Sequence, residues 1–132
     1  MPIGTIRIVP LGYQLTLTET LFGQLGAQAP LLADGDWEVG RLALAPEYRS
    51  DVDALRHCLY LALQYACAHA RVDRLFATCT HVLGRLYRRF GFAAFARDVP
   101  LVGTEKSYTM ISGCAAEVST ALSGRDAASK AQ

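Results

Sequence analysis

The stretch Trp37-Glu38-Val39-Gly40-Arg41-Leu42-Ala43-Leu44, followed by Ala45-Pro46-Glu47-Tyr48-Arg49-Ser50, decides how the rest of the chain is read. Its first eight residues are apolar enough for a buried strand, yet Glu38 and Arg41 stand among them. Pro46 marks a short loop, and an amphipathic helix begins beyond it. Ser50 is a good N-cap, and Asp53 three residues on gives a capping-box pattern with Asp in place of Glu. Val52, Leu55, Leu59, Leu63 and Ala66 recur at helical spacing, which predicts a helix to about residue 70 with one face in the core. A carboxylate able to act as a base thus sits on a strand that leads into a helix N-terminus able to hold a phosphate.

Working outward, Thr5-Ile6-Arg7-Ile8-Val9 alternates and is β-branched, so it reads as a strand ended by Pro10. Residues 18–25 suit a short helix starting at Thr18 and weakened by Gly23. Residues 27–35, with Pro30 and Asp34-Gly35, read as a loop. Residues 74–80 form a short buried strand, and Thr80 is placed to cap a helix with an apolar face of Val82, Leu83, Leu86 and Phe90. Gly91 is placed to end that helix. Residues 92–99 and 106–111 read as a hairpin around Gly103-Thr104-Glu105. From residue 113 the chain is rich in Ala and Ser; a weak helix over 114–122 and disorder over the last ten residues are expected. Strands alternating with amphipathic helices predict an α/β fold whose sheet has parallel central strands and an antiparallel edge.

Composition sets the bounds. With 132 residues and 52% hydrophobic content the chain suits one globular domain. A formal net charge of +1 gives no global field toward nucleic acid or membrane. No apolar run approaches the roughly 18 residues of a membrane span, and Met-Pro-Ile-Gly-Thr lacks the layout of a signal peptide. Cys58, Cys67, Cys79 and Cys114 lack CxxC spacing and read as small core residues in a reducing cytosol, with no metal set. His57, His69 and His81 are not clustered in sequence and receive no role.

The second half, down to Leu86-Tyr87-Arg88-Arg89-Phe90-Gly91-Phe92, resembles the core of the GCN5-related N-acyltransferases. Arg7-Ile8-Val9-Pro10, Leu21-Phe22-Gly23-Gln24-Leu25, Ala29-Pro30 and Trp37-Glu38 with Arg41 resemble, in the same order, motifs of the acyl-homoserine-lactone (autoinducer) synthases within that superfamily. The resemblance covers about residues 5–111. It departs at Gly40, where the synthases carry Ser, and at Tyr87, where they carry an apolar residue and the acetyltransferases a Tyr that can protonate the leaving thiolate. The chain also starts where those synthases have completed a substantial N-terminal portion, including much of the S-adenosylmethionine pocket. The resemblance implies an N-terminally truncated GCN5-like mixed sheet flanked by helices. An acyltransferase-like domain would span residues 1–112 and a tail residues 113–132.

It further implies transfer of a fatty acyl group from acyl carrier protein to the amine of S-adenosylmethionine, with lactonisation to a quorum-sensing signal in the cytoplasm. Acyl carrier protein or coenzyme A thioester and S-adenosylmethionine would be substrates, with no bound cofactor. Glu38 would be the base or position a water, Arg41 would pair with Glu38 or hold an acceptor carboxylate, and Arg7 and Trp37 would organise the substrate. Strict alternation puts Glu38 and Arg41 on opposite faces, so their pairing needs a β-bulge at Gly40.

Ala43, Ala45 and Arg49-Ser50-Asp51-Val52-Asp53-Ala54 occupy the position of the acyl-carrier site, against the signature Gln/Arg-x-x-Gly-x-Gly/Ala. Val52 replaces a Gly, and Asp51 and Asp53 would repel a diphosphate, so the single phosphodiester of a carrier protein is the better fit. Arg85, Arg88 and Arg89 form a helical stripe, either a solvated face or a docking surface for acidic carrier protein. Thr78 is placed to touch the acyl chain, and Tyr87 is either a core aromatic or the general acid. Two other readings stand beside this one: an acetyl-coenzyme-A-dependent N-acetyltransferase, and a truncated, non-catalytic binding module. A strand at residues 5–9 with nothing outside it would be an open edge, so either self-association or cover by the tail near 114–122 is expected.

Overall fold

The computed structural model describes residues 4–13, 16–48 and 51–131, without the side chains of 41–44, 48 and 124–131. The alternating segment near the start forms β1 (Gly4–Pro10), which pairs antiparallel with β2 (Asp36–Leu44). Between them lies α1 (Leu17–Leu25). From β2 the chain passes through a 3-10 turn, Pro46–Tyr48, to α2 (Val52–His69) and then β3 (Arg74–Cys79), which lies parallel to β2. Then follow α3 (His81–Tyr87), the hairpin of β4 (Ala93–Pro100) and β5 (Ser107–Cys114), and α4 (Ala115–Ala131). The five-stranded sheet has the order β1-β2-β3-β5-β4. It has one parallel contact, β2 with β3, and every other neighbouring pair is antiparallel. The expected parallel central strands are the β2–β3 pair, with antiparallel strands on both sides of it because the hairpin sets β5 beside β3.

Two apolar layers cover the sheet. On one face Leu55, Leu59 and Leu63 of α2, Tyr87 of α3 and Ala115, Val118 and Leu122 of α4 pack on Val39, Leu75, Ala77 and Ile111. On the other, Leu21 and Phe22 of α1 pack on Phe76 and Met110. Phe22, Phe76 and Phe95 meet there at ring-centroid separations of 5.7 to 6.1 Å.

Several helix details differ from the sequence reading. Thr16, not Thr18, caps α1: its hydroxyl accepts from the Glu19 N–H and donates to the Glu19 carboxylate. Thr16 and Glu19 have the residue spacing of a capping box, here joined side chain to side chain as well as through the Glu19 N–H. Asp51 caps α2, accepting from the Ala54 N–H at 3.1 Å, while Ser50 lies outside the described residues. Thr80 caps α3 as expected, and Gly91 takes the left-handed conformation, φ 90°, that ends the following 3-10 turn. Val52 and Val82 were expected in the core but are exposed, at 38% and 70%. Each sits in the first turn of its helix. Gly84 and Tyr87 take the inward positions of α3 instead. A Cβ on Gly84 would lie 3.3 Å from the Thr109 methyl, so glycine lets the helix approach β5 closely.

The tail differs most. In place of a weak helix followed by disorder, α4 continues to Ala131, and Val118 and Leu122 are fully buried. Arg56 of α2 donates to the Leu122 carbonyl at 2.5 Å. Three apolar residues at helical spacing were enough to build this face, and the surrounding Ala and Ser concealed it. No helix among the described residues is long and apolar enough to cross a membrane.

Leu122→Ala should cost about 2–5 kcal/mol of stability, read from urea unfolding, because it empties a fully buried site. A cost below about 0.5 kcal/mol would show that α4 contributes nothing to this core.

Candidate active site

β2 and β3 are joined at one end only. Their ladder comprises Asp36↔Arg74, Trp37↔Leu75 and Glu38↔Phe76. The joined end is pinned by polar contacts. The Gly35 carbonyl accepts from the N–H groups of Asp73 and Arg74 at 2.7 and 3.1 Å. Asp36, only 2% exposed, takes two guanidinium bonds from Arg74 at 2.6 and 2.8 Å and accepts from the Ala33 N–H at 2.7 Å. Beyond Glu38 and Phe76 the strands run on to Leu44 and Cys79 with no ladder pair joining them among the described residues. The backbone groups along this gap can pair with an extended ligand.

Glu38 stands where the strands part. Its Oε2 accepts from the Thr18 N–H at 3.2 Å, so the first turn of α1 orients the carboxylate. Its Oε1 lies 3.3 Å from where a Cβ on Gly40 would be, so a side chain at position 40 would press on it. The Thr18 hydroxyl, fully buried, bonds the Thr78 hydroxyl at 2.8 Å. Thr18 thus joins Glu38 to Thr78 across the gap. The sequence reading missed this role by taking Thr18 only as the start of the helix. The pattern Thr16-Leu17-Thr18-Glu19 was the signal that would have corrected it.

Arg7 pairs in register with Gly40, two residues from the Val9↔Glu38 pair, so Arg7 shares Glu38's face of the sheet. It is half-buried and has no ion-pair partner among the described residues. The expected bulge exists one position later than expected. Between Thr5↔Ala43 and Arg7↔Gly40, Arg41 and Leu42 face Ile6 alone. The side chains of Arg41 and Ala43, and the whole of Arg49 and Ser50, lie outside the described residues.

Other expected site residues sit elsewhere. Trp37 packs on the helical face opposite Glu38 and donates from its ring nitrogen to the Arg71 carbonyl at 2.9 Å. Tyr87 is 1% exposed, beside Phe92 in the same core. Burial, and secondarily the neighbouring Cys79, push its phenol well above the usual range, while burial pushes the Cys79 thiol up to about 11. Tyr87 is therefore placed as a core aromatic. Ala45, half-buried, follows the end of β2.

At the mouth of the gap a groove of about 400 Å³ runs between α2 and α3, lined by Val52, Val82, Leu86, Arg85 and Arg89. The two valines misread as core are its apolar wall. The arginine stripe does not stay together, because α3 tightens to a 3-10 turn at Arg88–Phe90. Arg88 faces away from this groove, toward β4. The arrangement suits a ligand with an extended amide arm in the gap, an anionic end at Arg85 and Arg89, and an amine brought to Glu38.

Comparison with known proteins bears on the fold and the family. The sequence model of the family described as N-acyl amino acid synthase FeeM matches residues 1–111. Among solved structures, the acyl-homoserine-lactone synthase LasI superposes with a TM-score of 0.64 at 21% identity, over 92% of this chain and 64% of that one. TofI, in a ternary complex with an inhibitor and MTA, gives 0.63 at 22% identity, over 91% and 61%. BjaI, a coenzyme-A-dependent acyl-homoserine-lactone synthase solved with S-adenosylmethionine and isopentyl-CoA, gives 0.65 at 16% identity, over 93% and 58%. The chain thus spans about six-tenths of the length of these structures. No curated protein matches it in sequence. At these identities the superpositions establish the α/β fold, and the family match over residues 1–111 establishes membership: the chain belongs to the N-acyl amino acid synthase FeeM family, on the fold of the acyl-homoserine-lactone synthases.

Proposed function

We propose that this protein transfers an acyl group from a phosphopantetheine thioester to the α-amine of an amino-acid-type acceptor. The observation that carries the reading is the Glu38 carboxylate, oriented by the Thr18 N–H, where β2 and β3 part. The thioester arm lies in the gap, and its amides pair with the free strand backbone. Glu38 takes a proton from the acceptor amine, directly or through a water. The amine attacks the thioester carbonyl, the C–S bond breaks, and the amide forms as the thiolate leaves. Arg7, on the same face and without a partner among the described residues, binds the acceptor's α-carboxylate. Thr78 borders the acyl chain.

A free amino acid, the acceptor named for the FeeM family, and S-adenosylmethionine, which BjaI is solved with, share this amine and carboxylate. The S-adenosylmethionine reading adds lactonisation to an acyl-homoserine lactone. For the donor, the groove favours acyl carrier protein. Asp51 already occupies the Ala54 N–H, and Val52 fills the place of a glycine, so this turn offers few donors to a diphosphate. Arg85 and Arg89 suit the single phosphodiester and the acidic surface of a carrier protein. Arg49, Ser50, Ala43 and Ala45 stay in this proposal as phosphopantetheine-binding residues, and Arg41 as a catalytic one. With Tyr87 in the core, the thiolate is protonated by solvent or by the proton taken up at Glu38.

Glu38→Gln keeps shape and removes the base. Turnover, followed by mass spectrometry of products from carrier-protein and coenzyme A donors offered amino acids and S-adenosylmethionine, should fall about 10²–10⁴-fold with the fold intact. Unchanged turnover would make Glu38 structural. Arg7→Met should raise the acceptor KM by about tenfold or more with a smaller effect on kcat, the mark of lost carboxylate binding. Charge reversal at Arg85 and Arg89 should weaken carrier-protein binding, and wild-type binding should weaken with salt. Tight, salt-insensitive binding of acetyl-coenzyme A would instead favour an N-acetyltransferase.

A further inference from the structure

Across α3 from the donor groove lies a second cleft, of about 370 Å³, lined by His81, Arg85, Arg88, Arg97, Asp98 and Thr109. The acyl-transfer reading uses neither His81 nor the two residues from β4. Arg85, Arg88 and Arg97, all exposed, line it together with one carboxylate, Asp98. Among the described residues none of Arg85, Arg88 and Arg97 has an ion-pair partner. Water screens exposed like charges from one another, and an anion entering the cleft meets three of them at once.

The backbone of β4 is shaped to make this cleft. Its register against β5 shifts between Ala96 and Val99, so that Arg97 and Asp98 together face Thr109. Asp98 has a φ of 52°, the one positive value among the described non-glycine residues. A bulge on an edge strand re-aims side chains, and both residues of this one line the cleft. His81 then secures the acid. Its Nε2 donates to the Asp98 carboxylate at 2.8 Å, and its Nδ1 bonds the hydroxyl of Thr109, which is itself buried. Asp98 is thereby engaged by the imidazole and leaves the three guanidinium forks available. Guanidinium groups pair with phosphate oxygens in a bidentate manner, and three of them match a phosphate better than a lone carboxylate.

We propose that this cleft is a binding site for a small ligand carrying a phosphate group, with Arg97 and Arg88 as principal donors, Arg85 shared with the donor groove, and His81 as the residue that holds Asp98 aside. The phosphate belongs either to a free anion or to a nucleotide whose phosphate reaches this side of α3. The test is titration of the full chain with inorganic phosphate, and separately with adenosine 3′,5′-bisphosphate, at constant ionic strength held with chloride. Binding is read by calorimetry and by NMR of the arginine side chains.

Saturable phosphate binding is expected. Arg97→Ala should weaken it about tenfold or more. Arg89→Ala, which changes only the neighbouring groove, should leave it within about twofold. Arg97→Lys should recover part of the loss, and circular dichroism of each variant checks the fold. Tighter binding of the bisphosphate that is lost with Arg97→Ala assigns the site to a nucleotide phosphate; equal or weaker binding assigns it to a free anion. No saturable binding of either probe, or equal losses in Arg97→Ala and Arg89→Ala, overturns the proposal. Glu38→Gln should bind phosphate as the wild type does, so failure here and failure of the acyl-transfer reading are distinguishable.

Discussion

The carboxylate of Asp36, buried at the start of β2 and gripped by Arg74 at the start of β3, sets the geometry on which the rest depends. A buried carboxylate requires a partner. Here the partner also spans to the Leu31 carbonyl at 2.7 Å and lies over the Phe76 ring. With the Gly35 carbonyl receiving two N–H groups from the β3 side, the closed end has one permitted register. Gly35 is needed there, since its φ is +89° and a Cβ would lie 2.5 Å from the Asp73 carboxylate.

With that end clamped, the strands can separate at the other without losing their alignment. Separation leaves backbone donors and acceptors unpaired along the gap. Such groups are costly when buried and dry, so the gap is either solvated or filled by a ligand with amides of its own. A pantetheine-like arm meets that requirement. Val52 and Val82, in the first turns of α2 and α3, line a groove rather than the core.

The sheet also divides the roles of its residues by face. Alternation sends Glu38 and Arg7 to the lightly covered α1 face, and Trp37, Val39 and Cys79 to the thick helical face. A residue on the helical face is enclosed by α2, α3 and α4. Trp37 and Tyr87, attractive as site residues in the linear sequence, therefore pack on the helical face, away from Glu38. Thr18, read from the sequence only as a helix start, becomes the link between the carboxylate and β3 because α1 lies directly on that face.

By itself the sequence determined what local physics controls. The alternation in residues 5–9, the helical spacing of Leu55, Leu59 and Leu63, the cap at Thr80 and the left-handed Gly91 were all legible, because each rests on neighbours a few residues away. The charged pair in an apolar strand marked Glu38 as the residue to watch, and the ordered motifs pointed to the acyltransferase fold. Only the tertiary structure decided the single parallel contact, the use of α4 to complete the core, and the division of Arg85, Arg88 and Arg89 between two clefts. Each of these depends on which elements meet. The cleft behind α3 is the clearest case: His81, Asp98 and Thr109 are far apart in sequence, and a strand bulge brings them together. No local pattern encodes such a meeting, because the energy that places these residues comes from burying the rest of the sheet.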